Sequence, residues 1–355
     1  AAACAGPHCV ISPAPESSLA PAEALAQGRW IKWIGGASNH DLVALEDLAA
    51  FASLAGAHCL DVAADAAVAS AVRRGMAWAR ERGLTRDPWL MLSLSDGEDP
   101  HFRKAFFDPR ECPHDCPRPC ARVCPARAIP ASGGVIEERC YGCGRCLVAC
   151  PLGLIEERSQ RLDGKAVQLL LQQGRPDAIE IHTSPGRGQA FRQRLRDITA
   201  SGVVVQRISV SCGESDGLSR HLWDLHSALE VTGWPWLWQL DGRPMSGDVG
   251  SGTAQAAVAL VQRWRSRLPP GPLQLAGGTN ADSRRRLKRA ALDGSALSGS
   301  VVGIAYGGSA RKLLQPQLEQ AERRGMPLRQ CEDLWPGALE ALKQLWRLQN
   351  GERGC

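Results

Sequence analysis

WIKWIGGASNHDLVALEDLAAFASL, residues 30–54, carries the pattern on which the chain is built. Trp30 to Ile34 reads as a short strand. Gly35-Gly36-Ala37-Ser38-Asn39 is a loop of small and polar residues, and Asp41 to Leu54 is an amphipathic helix. The unit then repeats. A second strand, His58 to Ala63, ends at Asp65 and leads into a helix from Ala66 to Arg82. A third, Trp89 to Leu94, ends in Ser95-Asp96-Gly97. Further strands are expected at Ala178 to His182, Val203 to Ser209, Trp236 to Leu240, Leu273 to Ala276 and Val301 to Ala305, with helices between them. Eight strand–helix units predict an α/β chain closed into a (β/α)8 TIM-type barrel, rather than a doubly wound open sheet.

The third unit is interrupted. Its helix is delayed to Lys165 to Gln173, and a cysteine-rich segment fills the gap. Eight of the fourteen cysteines lie between Cys112 and Cys150. One set is Cys112, Cys116, Cys120 and Cys124, followed by Pro125. The other is Cys140, Cys143, Cys146 and Cys150, followed by Pro151. The second set is C-x2-C-x2-C-x3-C-P, the run that wraps a [4Fe–4S] cluster and sends its fourth cysteine to a second cluster. Cys140, Cys143, Cys146 and Cys124 are therefore assigned to one cluster. Cys112, Cys116, Cys120 and Cys150 are assigned to the other.

The halves echo each other further. Cys124-Pro125 leads to Ala128-Ile129, and Cys150-Pro151 leads to Leu154-Ile155. Ser132-Gly133-Gly134 is expected to turn the chain, with a return strand starting at Val135-Ile136. This is the twofold repeat of a two-cluster ferredoxin, except that the first set has looser spacing. Structural zinc is the alternative, although zinc sites rarely show two interleaved Cys-Pro runs. The expected organisation is a tail and short helix over 1–28, barrel over 29–108, a ferredoxin-like two-cluster insertion after strand three over 109–157, barrel over 158–330 and a C-terminal helix over 331–355. The other cysteines, among them Cys4, Cys9, Cys59, Cys212, Cys331 and Cys355, are expected to be spare.

Composition narrows the class. The chain has 355 residues, 44% hydrophobic and 22% charged, with a formal net charge of +5. The basic residues are scattered, which argues against nucleic acid as a partner. No apolar run reaches the length of a membrane span, and no signal peptide is read at the N-terminus. Clustered thiolates point to a reducing cytoplasm.

Strand alternation aims Lys32, Asp61, Ser93, Glu180, His182, Arg207, Ser209, Gln239, Asp241 and Gln274 into the barrel. So many inward polar groups imply either a ligand pocket or a network that satisfies itself. Gly277-Gly278-Thr279-Asn280 and Gly307-Gly308-Ser309-Ala310-Arg311-Lys312 follow the last two strands. Loops there often hold phosphate, so Gly277, Gly278, Gly307, Gly308 and Arg311 are candidates for a flavin or other phosphate-bearing ligand. Glu180, His182, Asp241 and Asp248 are the candidate acid–base groups beside it.

Gly35 to Asn39, Asp61 to Asp65, Asp241 to Gly250, Leu275 to Asn280, Ala305 to Lys312 and the paired cysteine runs together resemble the cyanobacterial light-dependent period protein family. The resemblance implies an iron–sulfur protein that informs the circadian clock of the cell's redox state and contacts clock-input proteins, histidine kinases among them. It assigns no catalytic residue. The bare residues also suit an iron–sulfur oxidoreductase whose clusters exchange electrons with a barrel ligand. The redox partner, a ferredoxin, a quinone or similar, is not specified by the sequence.

Overall fold

A computed structural model of the chain describes residues 19–159, 162–242, 250, 252–294 and 300–350. Eight parallel strands close into a barrel: β1 (Trp30–Gly36), β2 (Cys59–Ala63), β3 (Trp89–Ser95), β6 (Ala178–His182), β7 (Arg207–Gly213), β8 (Trp236–Asp241), β9 (Leu273–Ala276) and β10 (Val301–Tyr306). Pairing of β1 with β10, Lys32 beside Ala305, completes the ring. Gly303 permits that pairing, since a Cβ there would lie 2.4 Å from Trp30.

The helices start and stop where the local chemistry says they should. Helix α2 (Leu42–Ala55) is capped by the Asp41 carboxylate, which accepts from the Ala44 N–H, and ends on Gly56 with φ 100°. Asp65 caps α3 (Ala66–Arg80) through the N–H groups of Ala67 and Val68. Nearly all of α2 is buried, because α3 packs on one side and the C-terminal helix α12 (Trp335–Asn350) on another. Leu339, Leu342 and Leu345 form the buried face of α12.

Alternation along the strands divides the apolar residues into two cores. Ile31, Trp33, Leu60, Leu92, Ile179, Ile181, Ile208 and Val210 point outward into the layer beneath the helices. Trp30, Cys59, Met91, Ala178 and Leu237 plug the lower end of the barrel, closed by Ala24 and Leu25 of α1 (Pro21–Ala26). Each fully buried Leu or Ile contributes roughly 1.5–3 kcal/mol.

Two local expectations are corrected. The fifth barrel strand begins at Arg207, not Val203. Its register is set by pairing with β6, Ala178 opposite Arg207, and Val204 is left exposed. No strand forms at Val135–Ile136. One backbone bond from Ile136 to the Ala128 carbonyl, 2.7 Å, stands in its place.

Between β3 and α6 (Gly164–Gly174) the chain forms an antiparallel pair, β4 (Arg103–Phe106) with β5 (Glu156–Ser159). The pair brackets the cysteines and includes two short helices, α4 (Pro119–Val123) and α5 (Arg145–Ala149). The remaining helices are α7 (Gly188–Ala200), α8 (Leu218–Thr232), α9 (Thr253–Trp264), α10 (Ser283–Arg289) and α11 (Gly308–Arg323).

Candidate functional site

The cysteine segment repeats in space as well as in sequence. Cys120 and Cys146 lie within α4 and α5, and Cys124 and Cys150 terminate them with nearly the same backbone angles, φ −76° ψ 108° and φ −77° ψ 112°. A proline follows each, so neither helix can continue. Each helix also starts after a left-handed residue, Arg118 or Gly144. The packed core of the segment is Phe107, Ile129 and Ile155 with Cys120 and Cys146.

Seven of the eight thiols fall into two groups of neighbours. Cys124, Cys140, Cys143 and Cys146 line one cavity. Burial first, and then the adjacent Cys143, Cys140 and Cys124, push the Cys146 thiol up to about 12. Burial likewise raises Cys120, with Cys150 and Cys112 as its neighbouring sulfur charges. Cys116 is half-buried in the loop between Cys112 and Cys120. Four thiolates crowded together repel one another unless a cationic centre holds them, and an all-sulfur donor set suits iron–sulfur chemistry. Backbone N–H groups already aim at sulfur: Ala105 donates to Cys140 Sγ and Ala128 to Cys124 Sγ, both at 3.3 Å. Gly142 permits the approach of this loop to β4, since a Cβ there would sit 2.1 Å from the Arg103 carbonyl oxygen.

The segment rests on the C-terminal face of the barrel. Ser38 Oγ donates to the His101 carbonyl at 2.8 Å, and the His40 N–H donates to the Glu138 carbonyl at 2.8 Å. Lys104 Nζ reaches both the Glu137 carbonyl, 2.8 Å, and His40 Nδ1, 2.9 Å. Glu322 of α11 pairs with Arg127 at 2.7 Å and Arg139 at 3.0 Å.

Inside the barrel the inward polar residues bond to one another. Fully buried Lys32 lies between Asp61, at 2.8 Å, and Glu180. Burial alone would lower the Lys32 pKa, but the two carboxylates outweigh it and raise it. Burial raises Asp61, whereas for Glu180 the charge of Lys32 and the His182 hydrogen bond prevail over burial and lower it. Ser209 Oγ, 2.8 Å, and Gln239 Nε2, 3.0 Å, also donate to Glu180. Ser93 Oγ donates to Asp61 at 2.6 Å, and Gln274 donates to Gln239. Arg207, at the strand's start, donates to the Trp236 carbonyl at 3.0 Å.

One layer higher stand His182 and half-buried Asp241. His182 Nε2 is 3.2 Å from Glu180 Oε1. Burial opposes its protonation, but Glu180 and Asp99 raise its pKa to about 9. Asp241 is held by Ser211 and by Gln239 Nε2, and its own pKa is raised by burial. Asp248 lies outside the described residues. Asp99 and His101, which join this group, carry no strand or motif signal. Only the loop's return over the barrel mouth brings them in.

Gly277 and Gly278 adopt φ of 65° and 84°, conformations that glycine alone adopts at little cost. Gly307 precedes α11, and Gly308 is its first residue. Arg311 is otherwise engaged: its Nη2 donates to the Gly35 carbonyl at 2.9 Å, and its guanidinium lies over the Tyr141 ring.

A family model described as the Light dependent period A C-terminal domain matches residues 170–347, and another, described as an Fe-S cluster-binding domain of the same family, matches residues 112–161. The curated Light dependent period A of Synechococcus elongatus is 48% identical over 309 residues, 86% of this chain and 87% of that protein.

The chain belongs to the Light dependent period A family.

It is an iron–sulfur protein of that family, with the cluster-binding domain on the segment that holds the eight cysteines. Solved structures also align, at low identity. A fructose-1,6-bisphosphate aldolase homologue from Coccidioides immitis aligns at 10% identity and TM-score 0.41, covering 95% of this chain and 94% of that one. A geranylgeranylglyceryl phosphate synthase from Thermoplasma acidophilum aligns at 12% identity and TM-score 0.41, covering 92% and 97%. Likenesses that distant carry no inference about activity. No helix among the described residues is long and apolar enough to cross a membrane.

Proposed function

We propose that the protein is a redox sensor carrying two [4Fe–4S] clusters, one on Cys124, Cys140, Cys143 and Cys146, the other on Cys112, Cys116, Cys120 and Cys150. The observation that supports this reading is the sorting of seven of the eight thiols into two groups of spatial neighbours, with Cys124 and Cys150 exchanged between the sequence runs. Such clusters supply one-electron chemistry, tuned by hydrogen bonds to sulfur and by solvent exposure. The N–H groups of Ala105 and Ala128 are the tuning donors on this chain.

The barrel is the transmitter in this reading. Tyr141 follows Cys140 and touches Arg311 near the start of α11, so a shift of the cluster loop reaches a barrel helix directly. The family's name ties it to light and period, and the receiving partners would be clock-input proteins such as histidine kinases, in the cytoplasm. Anaerobic iron and sulfide analysis with a mediated redox titration tests the proposal. Two cubanes per chain, reduced reversibly, are expected. Stoichiometric zinc without sulfide would sink it.

A second reading has its own support. The N-terminus of α11, beginning at Gly308, has no side-chain cap among the described residues, and Ser309 Oγ beside it is buried without a hydrogen-bond partner among them. With Gly277 and Gly278 opposite, this end of the barrel suits a phosphate-bearing ligand such as a flavin. An oxidoreductase would follow if that ligand exchanges electrons with the clusters. Flavin retained after purification, or titrated by fluorescence quenching, tests it.

A further inference from the structure

Asp99, His101 and His182 meet at the barrel mouth, apart from both cysteine groups. A carboxylate oxygen and one ring nitrogen from each histidine all lie within 4.8 Å of one another. Asp99 Oδ1 is 2.7 Å from His101 Nδ1 and 3.9 Å from His182 Nδ1. The two imidazole centres are 4.7 Å apart. We propose that these three residues bind one divalent transition-metal ion through two imidazoles and one carboxylate, independently of the iron–sulfur centres.

The spacing suits an ion. Donors about 2.0–2.1 Å from a tetrahedral centre stand roughly 3.3 Å apart. The two Asp99 distances bracket that value.

The surroundings suit it as well. His182 Nε2 faces Glu180, which leaves Nδ1 for the site. Glu180 is itself held by Ser209, Gln239 and Lys32. A carboxylate behind a ligating histidine fixes the ring and its tautomer, and such partners accompany metal-bound histidines almost always. Asp99 is held by the His101 N–H, 2.8 Å, at the cap of a short turn, Pro100–Phe102. Ser38 anchors the His101 carbonyl, and the Phe102 ring meets His182 edge-on at 5.2 Å. Asp241 lies close enough for its charge to act on both histidines, adding negative potential. His101 is only half-buried, which leaves an entry path from solvent. Two imidazoles and one carboxylate leave coordination positions open, the arrangement of an ion that can take a water or a ligand atom.

The test uses the full chain with its clusters assembled anaerobically. The protein is equilibrated with Zn2+ and desalted, and zinc, iron and sulfide are measured together. One zinc per chain is expected, bound at least tenfold more weakly in Asp99→Asn and His101→Ala, with iron and sulfide unchanged. Zinc-edge X-ray absorption on the wild type should show nitrogen or oxygen neighbours near ~2.0–2.1 Å. No zinc retained by the wild type, undiminished zinc in both variants, or sulfur neighbours near ~2.3 Å would each overturn the proposal. If a variant fails to fold, the wild-type absorption spectrum still decides.

Discussion

The guanidinium carbon of Arg311 lies 4.9 Å from the centre of the Tyr141 ring, while Nη2 of the same residue donates to the Gly35 carbonyl at 2.9 Å. One side chain thus joins the cysteine segment, the end of β1 and the start of α11. Gly36 makes room for the ring, since a Cβ there would sit 3.2 Å from Tyr141 Cβ. Arg311→Ala and Tyr141→Leu should each weaken the attachment of the cysteine segment by about 0.5–2 kcal/mol. Faster proteolysis within 103–159 and faster loss of iron to a chelator are the expected results. A double-mutant cycle should show the two effects to be less than additive.

The cysteine groups make separable predictions. On the proposed two-cluster assignment, Cys143→Ser and Cys120→Ser should each remove about half of the bound iron, because each would supply a different [4Fe–4S] site. Cys59, Cys212 and Cys331, buried elsewhere, should tolerate Ala with iron content unchanged. Iron and sulfide analysis of the purified variants checks both statements.

Lys32→Met should destabilise the barrel by about 3–5 kcal/mol, because it leaves the buried carboxylates Asp61 and Glu180 without their cation. The melting temperature measures it. Adding Asp61→Asn to the methionine variant should recover part of the loss.

The contact of His40 with Lys104 depends on pH. Burial first, and then the charge of Lys104, lowers the His40 pKa below its ordinary 6.5. The folded form therefore favours the neutral ring, and this contribution to stability is present above pH 6.5 and lost as pH falls through the depressed value. Thermal melts should show stability declining below pH 6.5. His40→Gln should flatten that slope.

Gly278→Val places a branched side chain at φ 84° and should block ligand binding at the barrel mouth while leaving cluster content intact. FMN titration, followed by fluorescence, and iron analysis on the same preparation separate the two effects.

Much of the barrel could be read directly from the chain. The strands Ala178 to His182 and Leu273 to Ala276 match residue for residue. Alternation also placed Lys32, Asp61 and Glu180 inside, because side-chain direction along a strand has a period of two. Where the period was weak the reading slipped. Val203 to Val205 is apolar, but the β6 register starts the strand at Arg207.

The interleaved cysteine runs were determined by the sequence alone, because ligand spacing and the proline stops that follow are properties of neighbouring residues. So was the count of strand–loop–helix units. Tertiary structure alone decided what those units bring together. Closure depends on β1 finding β10, some 270 residues away, and the β4–β5 pair joins residues on either side of the cysteines. Arg311 donates to a carbonyl and lies over a ring that no local pattern connects to it. Asp99 and His101 sit in an irregular loop, and only its path across the mouth sets them against His182. Contacts between residues distant in the chain follow from how the backbone packs, and packing is not written in any short window of sequence.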